Sequence, residues 1–174
     1  RREAVGYSAK AIANYFLEKY GSHGITHLKI QKLVYLAHGW NYAFREDDLV
    51  SDEFADAWEY GPVFPSLYEE FKHRGGSPIM KLATELDFES FLGDSTDPHF
   101  ETPRIDPNDE ETSALLDRVW AKYGSMPAMS LSGLTHQENT PWHKTRREKG
   151  AVRNANISND DIKEYHAHRA AELG

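Results

Sequence analysis

Apolar residues recur at three- and four-residue spacing through most of the chain, the period of helices with one buried face. Ser8 is placed to cap a first helix with Ile12, Ala13, Phe16 and Leu17 on its inner stripe and Gly21 as its stop. Thr26 caps a second, in which Ile30, Leu33, Val34, Ala37 and Trp40 form the stripe and Lys29 and Lys32 lie elsewhere on the surface. This helix reaches about Phe44 and is expected to be the central one. Phe54 to Tyr60 suits a short helix or an extended segment, and periodicity does not choose between them. Gly61-Pro62 punctuates the chain, with Pro62 suited to the first turn of a helix carrying Val63, Leu67, Tyr68 and Phe71. Further helices are predicted over Glu111 to Tyr123, Pro127 to His136, Pro141 to Lys149 and after Ser158, with a minor strand at Val152 to Ile157. The pattern predicts a mainly α, single compact multi-helix domain with at most a minor β element.

Charge changes this picture in one place. The 174 residues carry a net charge of −8, yet ten acids and one base fall between Glu85 and Glu111, so that stretch holds −9 and the remainder +1. It also contains Gly93, Pro98, Pro103 and Pro107, which break regular structure. Residues 75–108 therefore read as a long acidic connector with one short helix near Leu82 to Leu92. It is either a solvated linker or an acidic arm for a partner. The predicted organisation is residues 7–74, the connector 75–108, and residues 109–174.

Composition narrows the chemistry. With no cysteine, disulfide frameworks, thiolate metal sites and thiol catalysis are excluded. No apolar run approaches the roughly 20 residues of a membrane span. The start, Arg1-Arg2-Glu3-Ala4-Val5-Gly6, lacks the apolar core of a signal peptide and, opening on Arg, leaves room for residues upstream. A cytoplasmic protein without a membrane partner is expected. The acidic balance argues against nucleic acid as a partner. One local exception is the basic segment Lys144, Arg146, Arg147, Lys149 and Arg153, which on a helix makes a ridge for the chain's own connector, an acidic protein or phosphates.

Catalytic templates are sparse. There is no Gly-x-Ser-x-Gly elbow and no glycine-rich phosphate loop. His23 and His27 are four apart but straddle the cap at Thr26, and His166 and His168 are expected in solvent on different helix faces. His136, Glu138 and His143 are the one set with metal or acid–base potential, set against a role in bracing a tight helix–turn–helix. No cofactor is expected.

Two stretches exceed generic helix patterning. One is Ile30-Gln31-Lys32-Leu33-Val34-Tyr35-Leu36-Ala37-His38-Gly39-Trp40 followed about 18 residues later by Trp58-Glu59-Tyr60-Gly61-Pro62-Val63-Phe64-Pro65-Ser66-Leu67-Tyr68. The other is Leu131-Ser132-Gly133-Leu134-Thr135-His136-Gln137-Glu138-Asn139-Thr140-Pro141-Trp142. Together they resemble the Panacea domain family of SocA-like antitoxins and phage-associated proteins, from about Tyr7 to Tyr165. The resemblance implies a non-enzymatic antitoxin that neutralises a cognate toxin, encoded by the adjacent gene, through direct protein–protein binding. The family also implies a second mode, in which an adaptor delivers the toxin to a AAA+ protease. The connector is longer than the family pattern and takes no role from it.

The motif residues have structural roles to fill first. Trp40, Trp58, Tyr60 and Trp142 are expected to brace the core, Gly61 and Pro62 to serve the turn, and Thr135, His136 and Glu138 to knit the chain before Pro141 through side chain to backbone hydrogen bonds. That leaves Tyr35, His38, Tyr42, Glu59 and Phe64 as an exposed flank for a partner, with Arg146 and Arg147 on the basic ridge.

Overall fold

The structure, a computed structural model, describes residues 6–93 and 98–173. Helix α1 (Ala9–Tyr20) begins where Ser8 Oγ accepts the Ala11 amide, and α2 (His27–Asn41) where Thr26 Oγ1 accepts that of Lys29. α2 is the central element, with an unbroken run from Ile30 to Gly39 buried and α1, α5, α6 and α8 packed around it. A helix buried on all sides has no solvent face for its polar residues. Lys32, expected at the surface, is accordingly fully buried.

The ambiguous segment at Phe54 to Tyr60 is extended. Strand β1 (Asp56–Trp58) pairs antiparallel with β2 (Gly61–Val63) in the register Asp56 with Val63, Ala57 with Pro62 and Trp58 with Gly61. Pro62 therefore sits in a strand, and it is Pro65 that opens helix α3 (Pro65–Phe71). The outer side of β1 meets residues 155–157, through Ala57 N–H to the Ala155 carbonyl at 2.9 Å and Ile157 N–H to the Ala55 carbonyl at 2.7 Å. Of the minor strand predicted there, a bridge between Asp56 and Asn156 forms.

The connector is less free than its composition suggests. β3 (Glu85–Leu86) and β4 (Phe100–Glu101) flank the short α4 (Phe88–Leu92). On either side of them the chain is fastened to α1 by the fully buried Asn14. Its amide donates to the carbonyls of Ala83 and Pro103, both at 2.9 Å, and its oxygen accepts the Ala83 amide at 2.7 Å. Ile79, Ala83 and Ile105 join the core, whereas Phe88, Leu92 and Phe100 stay exposed.

The remaining helices are α5 (Glu110–Tyr123), α6 (Ala128–Thr135), α7 (Pro141–Lys149) and α8 (Asn159–Leu173). α5 starts with Asp109 as cap and two acids in its first turn, where the helix dipole favours negative charge. Eight α-helices and two small two-stranded sheets make the described residues a mainly α domain. No helix among them is long and apolar enough to cross a membrane.

Candidate functional site

Two strands of three residues make a poor hairpin on their own, since an isolated two-stranded ribbon is marginal in water. Here the carbonyls of the hairpin are taken up by side chains from distant elements. On α2, Lys32 Nζ donates to the Pro62 carbonyl at 2.7 Å, and Gln31 donates to the Phe64 carbonyl at 3.2 Å while accepting its amide at 2.9 Å. From α6, Ser132 Oγ reaches the Tyr60 carbonyl at 2.5 Å. From α7, Trp142 Nε1 reaches that of Trp58 at 2.6 Å and Arg146 that of Ala57 at 3.1 Å. The two sequence motifs are therefore one device, their helices supplying the donors and the Trp-Glu-Tyr-Gly-Pro-Val hairpin the acceptors. Gly61 adopts φ of 108°, which only glycine takes easily. A Cβ there would also lie 3.1 Å from Thr135 Oγ1 and 3.2 Å from Lys32 Nζ. Glu59 and Tyr60, at the turn, are left facing solvent, with Tyr60 61% exposed.

Beside the hairpin lies a cleft of 770 Å³, floored by α2 and walled by α3, Arg146 of α7 and the 151–153 segment. Arg153 stacks over the Trp58 ring, its Cζ 3.8 Å from the centroid, and stands 5.1 Å from that of Tyr68. His27 packs on Tyr68 at 5.5 Å. The indole N–H of Trp58 is buried with no acceptor among the described residues. Desolvation pulls the Lys32 ammonium from 10.5 down to about 7, and burial lowers His27 as well, helped by Lys32 and His73. Lys32, Gln31 and Ser132 were given no site role from the sequence, and Arg153 only a place in the basic segment. The signal was present for the first two, because a polar pair inside an apolar run on a central helix must find partners.

The expected exposed flank is largely interior. Tyr35, His38, Tyr42 and Phe64 are 2%, 1%, 6% and 0% exposed. His38 is held as one tautomer, Nδ1 accepting the Val50 amide at 3.2 Å and Nε2 donating to Asn159 Oδ1 at 3.0 Å. Tyr42 donates to Asp48, and burial pushes its hydroxyl, like that of Tyr35, well above the usual tyrosine range. These four knit α2 to its neighbours because that helix has no free face. Of the flank, Glu59 alone is exposed.

The bracing residues divide too. Trp40 and Trp142 pack against the core, and Trp40 Nε1 donates to Tyr123 at 2.8 Å. Tyr60 does not brace the core, being in solvent. The turn before Pro141 is knitted by Thr140, which donates to the Gln137 carbonyl and accepts the His143 amide, and by His143 Nδ1, which accepts the Asn139 amide. Thr135 instead bonds back to carbonyls of its own helix, His136 lies against Trp142 with a buried Nδ1 that has no partner among the described residues, and Glu138 is exposed. His136, Glu138 and His143 do not form a donor set, and no group of three His, Asp or Glu among the described residues is arranged to hold a metal. His166, expected in solvent, is 2% exposed.

The basic ridge is two faces. Lys144 pairs with Asp161 of α8 at 2.7 Å, and Arg147 lines a groove on that side. Arg146 and Arg153 turn the other way into the hairpin cleft. Neither has an ion-pair partner among the described residues, so no described acid of the connector neutralises them.

Comparison with known proteins agrees with the motifs. Residues 30–143 match the family described as Antitoxin SocA-like, Panacea domain. The chain is 32% identical over 136 residues to Antitoxin SocA of Caulobacter vibrioides (strain NA1000 / CB15N), covering 77% of this chain and 68% of that relative. No solved structure matches. The family match spans the α2 donors, the hairpin, Ser132 of α6 and Trp142 of α7, and the chain belongs to the SocA-like antitoxin family with a Panacea domain.

Proposed function

We propose that this protein is the antitoxin of a toxin–antitoxin pair, acting in the cytoplasm, and that it neutralises a cognate toxin by direct protein–protein contact centred on the clamped hairpin and its cleft. The observation that carries this reading is the convergence of both family motifs on one hairpin whose turn residues, Glu59 and Tyr60, are left without a structural task. A rigid backbone displaying an exposed aromatic beside stacked arginines suits a binding surface, since Tyr, Trp and Arg dominate interface energetics. Pre-ordering by the donors from α2, α6 and α7 also lowers the entropy cost of association.

Co-expression with the product of the adjacent gene tests it. The expected outcome is restored growth and a co-purifying complex; a harmless neighbour that does not bind sinks the proposal. Toxin half-life separates the modes. An occluding antitoxin leaves it equal or longer, and a shortened half-life would point to delivery to a AAA+ protease.

A further inference from the structure

The hairpin cleft has a charge imbalance that no ion pair among the described residues resolves. Its lining carries the guanidinium groups of Arg146 and Arg153, with the buried Lys32 and the half-buried His27 beneath them, against one carboxylate, Glu59 at the mouth. None of the described acids of residues 85–111 forms an ion pair with them. The described ends of that stretch are fastened to α1, where Arg104 pairs with Glu18 at 2.6 Å. Meanwhile the guanidinium of Arg153 lies over the Trp58 ring on an exposed side chain that makes no hydrogen bond among the described residues, so its N–H donors remain for a carboxylate. Arg146 uses one N–H on the Ala57 carbonyl and keeps others.

We propose that this cleft receives an acidic segment of the partner protein, its carboxylates meeting the guanidinium edges of Arg153 and Arg146. The naming of that partner as a toxin rests on the antitoxin reading above; the cleft's preference for acid does not. A peptide suits the cleft better than a lone phosphate, because Val63, Tyr68 and Ala151 add an apolar wall and the volume of 770 Å³ takes several side chains. Apolar neighbours of an acidic residue would cover that wall while the carboxylate is paired.

The full chain is titrated with a short labelled peptide alternating glutamate and phenylalanine, and with its lysine counterpart, at low and high salt. The acidic peptide is expected to bind saturably and salt-sensitively and the lysine peptide not at all. Arg153→Glu and Arg146→Gln, checked for folding by circular dichroism, should weaken binding, the former by at least about tenfold. Arg147→Glu, on the other face of α7, should not. The proposal is overturned if the acidic peptide does not bind, if Arg153→Glu binds it equally, or if inorganic pyrophosphate displaces it at concentrations below the peptide's own. A toxin complex formed without acidic-peptide binding sinks the cleft assignment alone. Peptide binding without any toxin complex sinks the antitoxin reading and leaves the cleft standing.

Discussion

Gly39 shows how tightly single positions on α2 are determined. The ring of His166, from α8, lies where a side chain would begin, and a Cβ on Gly39 would come 2.2 Å from its Cε1. Ala in place of Gly within a helix ordinarily gains about 1 kcal/mol. Here the ring is confined, with Nδ1 2.9 Å from the Ile162 carbonyl and Trp40 edge-on at 5.2 Å. Overpacking costs typically about 1 to 3 kcal/mol, so Gly39→Ala should lower stability in urea unfolding, and His166→Ala in the same chain should restore part of the loss. An unchanged midpoint for Gly39→Ala would contradict the contact. At this scale the caps at Ser8 and Thr26 were legible in the sequence, since each acts within three residues of itself. Burial of Tyr35, His38 and Tyr42 was not, because a helical stripe presumes a solvent face and α2 has none.

Among the elements, the hairpin departs most from local rules. Neither Glu59 nor Tyr60 has the positive φ that favoured two-residue turns demand; Gly61 supplies it one position later. Propensity could not settle the Phe54 to Tyr60 segment, because its backbone groups are satisfied by side chains remote in sequence. Gln31 carries the largest share, pairing both the amide and the carbonyl of Phe64. Gln31→Leu keeps the volume and orphans the Phe64 amide, worth about 1 to 3 kcal/mol when buried, while the Phe64 carbonyl keeps the Leu67 and Tyr68 amides. A loss of about 1 to 3 kcal/mol is expected by denaturant unfolding, together with faster hydrogen exchange at Phe64. The connector repeats the lesson: its breakers were visible, but its attachment through Asn14 was not, because one buried amide reaches residues 69 and 89 positions away.

For the molecule as a whole, several buried bases make stability depend on pH in one direction. Burial holds His27, His38 and His166 below their ordinary 6.5, His166 at about 4. The unfolded chain thus takes up protons near pH 6.5 that the folded chain refuses until lower pH. Stability contributed by these groups is present above 6.5 and lost as pH falls, by up to about 1.4 kcal/mol per pH unit for each fully differential group. Lys32 acts in the same sense between 7 and 10.5. Asp52, Glu53 and Glu85, raised by burial, oppose the trend near their own range. Unfolding free energy should therefore rise from pH 5 to pH 8, and Lys32→Met should flatten the upper part of that rise; a flat profile in the parent chain would refute the assignment. The mainly α class was readable from periodicity alone. Which basic residues shared a face was not, since Arg146 and Arg147 diverge about one helix axis.

The clamps on the hairpin also set an order of assembly. Its acceptors lie between Ala57 and Phe64, but three of its donors, Ser132, Trp142 and Arg146, are 72 to 89 residues further along. On a ribosome, the nascent hairpin must wait until synthesis has passed Arg146 and α6 and α7 have emerged and docked. A product cut short by stalling or proteolysis before that point retains the motif in sequence and lacks its shape. The proposed binding face is thereby restricted to chains that have been translated and folded past their second motif.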